Sequence, residues 1–211
     1  MFQDSPVYSI ISFVIAFYLF YMWFGDYRHY CKTGELRKGA FEGATSVPSK
    51  LLWIAFASGI GILLLVSLVE SLAGASAEQT SVAPFALISW IGAGFVEELI
   101  FRGYLVVKNK GKLALVGSIL FFSFVFAIGH PFLWDYTVED GQSVLSGVWK
   151  LNLTLQATIA TISIFACSLL FYFLRFVPMN VNRSILPCIV AHIAYNCGVF
   201  AMKLGQGFVQ W

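Results

Sequence analysis

Six hydrophobic stretches dominate the pattern of the 211-residue chain, and each is about as long as the roughly 20 residues that cross a bilayer. They cover residues 7–24, 51–69, 85–107, 113–130, 151–174 and 185–204. Hydrophobic residues make up 59% of the chain and charged residues only 11%, which excludes an ordinary soluble domain. The pattern predicts an all-α, polytopic membrane helix bundle with about six transmembrane helices. We expect residues 1–211 to form a single domain.

Charged residues are distributed unevenly among the connections between these stretches. Lys and Arg gather in the first, third and fifth connections, whereas acidic residues outnumber basic ones in the second and fourth. Because basic loops stay on the cytoplasmic side, this asymmetry predicts cytoplasmic loops at 25–50, 108–112 and 175–183. Both termini are then expected on the opposite side.

The third stretch contains three ionisable residues at a depth where each costs about 2.5–3.5 kcal/mol to insert. Glu98 and Arg102 are four residues apart and share a helix face, so they are expected to form an ion pair. Glu97 lies on a different face and has no partner within its own helix. This unpaired carboxyl group is a candidate general base.

Two of the three histidines also fall in hydrophobic stretches, His130 in the fourth and His192 in the sixth. Asn196 follows His192 by four residues, and two such neighbouring donors can hold a developing oxyanion. Phe126 precedes His130 by four residues, so its ring can orient the imidazole. Together with Glu97 these groups could activate water against a carbonyl, although any one of them could instead serve only as an interhelical hydrogen-bonding group.

The depth of His130 differs from that of the other candidates. At 1.5 Å per helical residue, Glu97 and His192 lie about 16 and 14 Å from the nearest cytoplasmic cations of their helices, but His130 lies about 27 Å from Lys112. His130 shares the site only if the fourth helix starts late, tilts strongly or dips back near Pro131.

Three short motifs carry a family resemblance. Residues 97–102 (EELIFR), 126–130 (FAIGH) and 192–196 (HIAYN) are similar, in this order, to the EExxxR, FxxxH and HxxxN motifs of the CPBP family. This family comprises the CaaX proteases and the bacteriocin-processing or immunity proteins, also called ABI. The core motifs extend over residues 97–196.

The resemblance implies a glutamate-type intramembrane endopeptidase that needs no metal. In this scheme Glu97 is the base, His130 helps it to orient and deprotonate the water, and His192 and Asn196 form the oxyanion site. Three further residues would support this catalytic set: Glu98, Arg102 and Phe126. The expected location is a multi-pass position in a prokaryotic cell membrane.

The expected partners are the lipid bilayer and a membrane-anchored or hydrophobic peptide substrate, with no nucleic acid. Neither the substrate nor the oligomeric state can be named from the sequence, and prenyl specificity does not follow from the motifs. No cofactor is expected.

Four alternatives stay open. Glu97, His130 and His192 could hold zinc as a two-histidine, one-carboxylate set. Cys188 lies four residues before His192 and could act as a cysteine nucleophile. The buried charges could relay protons in a small transporter. The chain could also be a non-catalytic bacteriocin-immunity or scaffold protein.

Overall fold

The computed structural model describes residues 6–74, 80–138, 143 and 146–211. Within these residues the fold is helical apart from one small hairpin. The six helices are α1 Pro6–Thr33, α2 Ser49–Leu72, α3 Ala86–Glu97, α4 Lys112–Ile128, α5 Leu155–Phe176 and α6 Leu186–Gly205. α3 continues directly into a π-helical segment, Glu98–Leu105. A 3₁₀ turn, Pro131–Leu133, and two antiparallel strands, β1 Trp134–Thr137 and β2 Val148–Leu151, connect α4 to α5.

Four of these helices are long and apolar enough to cross a membrane, namely α1 (from Ile10 onward), α2, α5 and α6. The helix α4 has 17 residues, which corresponds to about 25 Å and falls short of the roughly 30 Å of hydrocarbon. The α-helical part of the third stretch has only 12 residues before the π segment begins. The predicted helical class is confirmed, whereas six membrane spans are not. The single-domain assignment stays a prediction.

Helix ends differ from the ends of the hydrophobic stretches. α1 continues to Thr33, nine residues beyond the stretch that ends at residue 24, so part of the predicted 25–50 loop is helical. Likewise α5 continues to Phe176, which places Arg175 within the helix rather than in the predicted 175–183 loop. The reason is that backbone hydrogen bonds propagate a helix through polar residues as well as apolar ones.

The helix α6 lies at the centre of the bundle, where it packs against α2, α3 and α5. At its crossing with α2, a side chain on Gly59 would overlap the carbonyl oxygen of Ala191. The small residue therefore lets the two helices approach closely. Two hydrophobic clusters meet at α6: Leu51, Ala55, Cys167, Phe171, Leu174, Cys188 and Ala191 in one, and Trp23, Ala44, Phe95, Leu99, Ile185 and Ile189 in the other. The helix that carries His192 is thus fixed on several sides.

Candidate active site

The two adjacent glutamates lie where the α-helix changes into the π-helix. α3 ends at Glu97 and the π segment begins at Glu98. Short π-helical insertions are rare and frequently occur at functional sites. The Glu98 side chain is fully buried, whereas that of Glu97 is 31% exposed. Neighbouring carboxyl groups therefore have very different surroundings.

Glu98 is held by two partners within the bundle. Its Oε1 lies 3.2 Å from Nη1 of Arg102, and both side chains of this ion pair are completely buried. The same oxygen accepts a hydrogen bond of 2.8 Å from Nδ1 of His192. A paired and hydrogen-bonded carboxylate can stay ionised in a low-dielectric interior. Glu98 thereby connects the π segment to α6.

Arg102 is anchored by a polar chain that the sequence did not reveal. Its Nη2 donates to the Ser168 hydroxyl at 2.6 Å, and this hydroxyl donates to Ser123 at 3.0 Å. The guanidinium also lies over the rings of Phe126 and Tyr172, at 4.6 and 4.9 Å from the ring centroids. Charge-assisted hydrogen bonds and cation–π contacts of this kind offset the cost of burying Arg102.

His192 lies between the two glutamates. While Nδ1 contacts Glu98, Nε2 lies 3.7 Å from Oε2 of Glu97, too far for a direct hydrogen bond. The ring stacks on Phe171, with 4.9 Å between centroids. Because the carboxylate of Glu98 accepts the hydrogen bond, Nδ1 is the donor and Nε2 is the nitrogen that faces Glu97.

Asn196 lies one turn beyond His192 on α6. Its Nδ2 donates to the backbone carbonyl of Trp90 at 3.0 Å, which uses one of the two amide hydrogens. Gly94 of α3 faces both residues, since a Cβ there would lie 3.4 Å from Nδ2 of Asn196 and 3.5 Å from the His192 ring. The absence of a side chain at residue 94 leaves α3 and α6 close together here.

His130 lies two residues beyond the end of α4, in extended backbone before Pro131. Its Nδ1 is 2.7 Å from the carbonyl oxygen of Phe126. The centroids of the His130 and Phe126 rings are 4.8 Å apart. A carbonyl oxygen only accepts, so Nδ1 carries the proton and Nε2 can act as a base. Phe126 also contacts the His192 ring edge-on, with 6.3 Å between the ring centroids, so one phenyl ring touches both imidazoles. The structure therefore brings His130 to the same site.

The depth of His130 is explained by the level at which α4 lies and not by a late start of this helix, because α4 begins at Lys112. The backbone N–H of Val107 donates to the Ser118 hydroxyl at 3.1 Å, which fixes Ser118 at the level where the π segment ends. The first six residues of α4, from Lys112, extend beyond that level. From Ser118 to His130 the chain rises about 18 Å, close to the depth of Glu97.

The end of the π segment is held by side chains of α5. Tyr172 donates to the carbonyl of Phe101 at 2.8 Å, and Arg175 donates to the carbonyl of Arg102. Such side chains satisfy carbonyls that a helix leaves unpaired at its end. The positive-inside pattern gave Arg175 a surface role, but it is 1% exposed. One feature of the sequence could have predicted this role. The spacing of Ser168, Tyr172 and Arg175 places all three polar side chains on one face of α5.

A second cluster of charges joins the first connection to these helices. Glu42 contacts both Lys108 and Arg175, and its Oε2 lies 3.7 Å from Nη2 of the latter. Gly103 of the π segment packs beside Glu42, since a Cβ there would lie 3.6 Å from its side chain. The first connection thus contributes a residue to the support of the π segment, which the sequence did not predict.

Two alternative chemistries can be compared with this geometry. Among the described residues, no group of three or more His, Cys, Asp or Glu side chains is arranged to hold a metal ion. Cys188 is fully buried, and its thiol lies 3.1 Å from the Phe171 carbonyl oxygen. A thiol enclosed in this way is out of reach of a substrate carbonyl, which disfavours a role as nucleophile.

Ionisable Glu, Arg and His groups buried between helices that can cross a membrane indicate a functional site within the membrane. A family model, "Type II CAAX prenyl endopeptidase Rce1-like", matches residues 79–198. This match covers more than half of the chain and includes all seven candidate residues, so the protein belongs to the Rce1-like family of type II CAAX prenyl endopeptidases. It is an integral membrane peptidase. No curated protein and no solved structure matches the chain.

Proposed function

We propose that the protein is a glutamate-type intramembrane endopeptidase in which Glu97 is the general base. The observation that carries this proposal is the difference between the two neighbouring glutamates. Glu98 is fully buried and engaged by Arg102 and His192, whereas Glu97 is 31% exposed and lies beside Nε2 of His192. An acceptor that is open to solvent and close to an imidazole suits the activation of water.

In the proposed reaction, a water molecule binds beside Glu97 and Nε2 of His130. Glu97 accepts one proton of this water while its oxygen attacks the scissile carbonyl carbon. Nε2 of His130 accepts a hydrogen bond from the second O–H and so orients the water. Glu97 then returns its proton to the amide nitrogen as the C–N bond breaks, which yields a carboxylic acid and an amine.

The oxyanion of the tetrahedral intermediate would be held by donors from α6. The second amide hydrogen of Asn196 is available, because its first goes to Trp90. In this proposal Glu98 holds Nδ1–H of His192, and the Nε2 edge of the ring is directed to the oxyanion as the second donor. Removing one such donor typically costs about 10²–10³ in turnover.

The proposed substrate is a membrane-anchored or hydrophobic peptide precursor, which reaches the site from within the bilayer. No cofactor takes part in this mechanism. Family membership favours hydrolysis over the transporter and non-catalytic interpretations. The motifs and the site geometry do not specify a prenyl group, and we leave that group out of the proposed substrate.

The test compares the wild-type membrane proteome with that of Glu97→Gln and His130→Ala variants. Both variants are expected to accumulate the same precursor at higher mass, and Glu97→Gln should lower the cleavage rate by about two orders of magnitude or more. Matched controls are Glu35→Gln and His29→Ala, since residue 35 is exposed and residue 29 belongs to α1, outside the three motifs. Near-wild-type cleavage by a folded Glu97→Gln variant would refute the mechanism.

A further inference from the structure

The hairpin between α4 and α5 presents an unusual surface. Its register pairs Trp134 with Leu151, Asp135 with Lys150, Tyr136 with Trp149 and Thr137 with Val148. Every residue of both strands is exposed. Because side chains alternate along a strand and paired residues share a face, the hairpin has two distinct faces.

One face is aromatic and apolar, and the other carries both charges. Trp134, Tyr136, Trp149 and Leu151 form the first, which we call the aromatic face. Its members are 38%, 38%, 64% and 55% exposed, so a large part of each bulky side chain is left uncovered by the protein. The opposite face carries Asp135, Thr137, Val148 and Lys150.

The hairpin lies alongside the N-terminal end of α5. The contact between Ser123 and Ser168 sets these residues at one level. From this level α4 continues for five residues to its C-terminal end at Ile128. In the same direction α5 continues for thirteen residues to its N-terminal end at Leu155. Since the difference is eight helical residues, α5 extends about 12 Å beyond the end of α4.

The chain that continues from α4 fills this difference in height. The 3₁₀ turn packs against α5, and the Trp134 indole donates to the carbonyl of Ile128 at 2.7 Å. The backbone of Asn152 donates to Leu133 at 2.8 Å. The hairpin is therefore attached to the bundle at the height of the first turns of α5, one of the helices able to cross the membrane.

Exposed apolar residues connect the hairpin to the membrane-facing surface of the bundle. They stand on both sides of the strands: Phe132, Leu153 and Leu155, exposed by 46%, 71% and 62%. A concentration of exposed aromatic and aliphatic side chains of this kind marks a surface that interacts with a protein or a membrane. Its continuity with the lipid-facing side of α5 indicates lipid rather than another protein.

We propose that the aromatic face of the hairpin is a bilayer-docking surface. It lies in the headgroup and upper acyl region of the leaflet opposite the Lys108 end of the bundle. Trp and Tyr prefer this zone because their rings are apolar and their N–H and O–H groups reach polar partners. Asp135 and Lys150 on the other face then point to water. Because the hairpin follows His130 after only three residues, its docking also restricts the position of that histidine.

The test places single spin labels on the two faces in lipid vesicles. The background replaces Cys31 and Cys197 by Ser, since Cys167 and Cys188 are buried and inaccessible to the label. Labelled cysteines are introduced at residues 149 and 151 on the aromatic face and at residues 135 and 150 on the other. Collision with molecular oxygen, which concentrates in lipid, is compared with collision with a water-soluble nickel chelate.

We expect nickel accessibility to be lost at 149 and 151 and retained at 135 and 150, with oxygen showing the reverse. Two positions on each face guard against one substitution disturbing the hairpin. Equal nickel accessibility on both faces would overturn the proposal, because the hairpin would then lie in water. Spin–spin broadening that grows with the protein-to-lipid ratio would also overturn it, since a second copy would then cover the face. The readout is independent of cleavage, so it does not depend on the role of Glu97.

Discussion

The buried pair formed by Glu98 and Arg102 gives a quantitative test of what holds the site together. Both side chains are fully buried, and the carboxylate has Arg102 and His192 as its two partners. Replacing Arg102 by Met keeps most of the volume but removes the positive charge. The carboxylate then loses its ionic partner in a low-dielectric interior, and breaking a buried pair in this way costs about 3–5 kcal/mol.

Removing the second charge as well should restore much of this loss. In the double variant Arg102→Met, Glu98→Gln, a neutral amide oxygen still accepts from Nδ1 of His192. The remaining cost comes from the hydrogen bond that the Ser168 hydroxyl no longer accepts and from imperfect packing, about 1–2 kcal/mol. The double variant is therefore expected to be more stable than the single Arg102→Met variant by about 2 kcal/mol, which is more than tenfold in the unfolding equilibrium.

The assay is a denaturation titration in mixed micelles that yields the free energy of unfolding. The matched control is Arg37→Met, because Arg37 is 58% exposed and lies 4.0 Å from Asp26. Surface pairs of this kind contribute about 1 kcal/mol or less. If Arg102→Met unfolds like the wild type, or if the two changes simply add, the ion pair does not hold the site and the reasoning is refuted.

Three further changes test the surroundings of the site. Ser168→Ala removes the charge-assisted bond to Arg102 and should lower the unfolding free energy by about 1.5–3 kcal/mol in the same titration; an unchanged value would exclude this anchor. Gly59→Val should overpack the contact with Ala191 and cost about 1–3 kcal/mol or more, whereas Gly61→Val, which meets nothing within 4 Å, should be tolerated. The chelator phenanthroline should leave cleavage unchanged in a single-turnover assay, and inhibition reversed by added zinc would favour the two-histidine, one-carboxylate alternative.

The local part of the site could be predicted from the sequence, but its long-range support could not. The four-residue spacing of Glu98 and Arg102 predicted their contact, because side chains at this spacing meet on a helix whatever surrounds it. Ser168 lies 66 residues from Arg102 in the chain, and only the packing of α5 shows that the two meet. The sequence placed Arg175 among the cations of a predicted cytoplasmic loop. In the structure it is buried and donates to the carbonyl of Arg102.

The six predicted spans were not confirmed for a related reason. A hydrophobic stretch gives the same signal whether its residues belong to a helix or to the turn at the end of that helix. The fourth stretch ends in a turn at residues 129–130, and the 3₁₀ turn and hairpin come next, so α4 is shorter than the apolar pattern suggested. His130 lies near the level of the other candidates because the first six residues of α4 extend beyond the end of the π segment. The depth conflict in the sequence was therefore an indication that α4 begins below the π segment.

The change from α-helix to π-helix gives two adjacent glutamates different surroundings at one imidazole. Consecutive residues on an α-helix diverge by about 100°, so neighbouring carboxylates cannot bind the same edge of a ring. Here they lie at its opposite nitrogens, with Glu98 at Nδ1 and Glu97 at Nε2 of His192. Glu98 also contacts Arg102 and is closed to solvent, which leaves Glu97 as the carboxylate that is partly open to solvent. The two residues are therefore not interchangeable, although the sequence repeats the same letter.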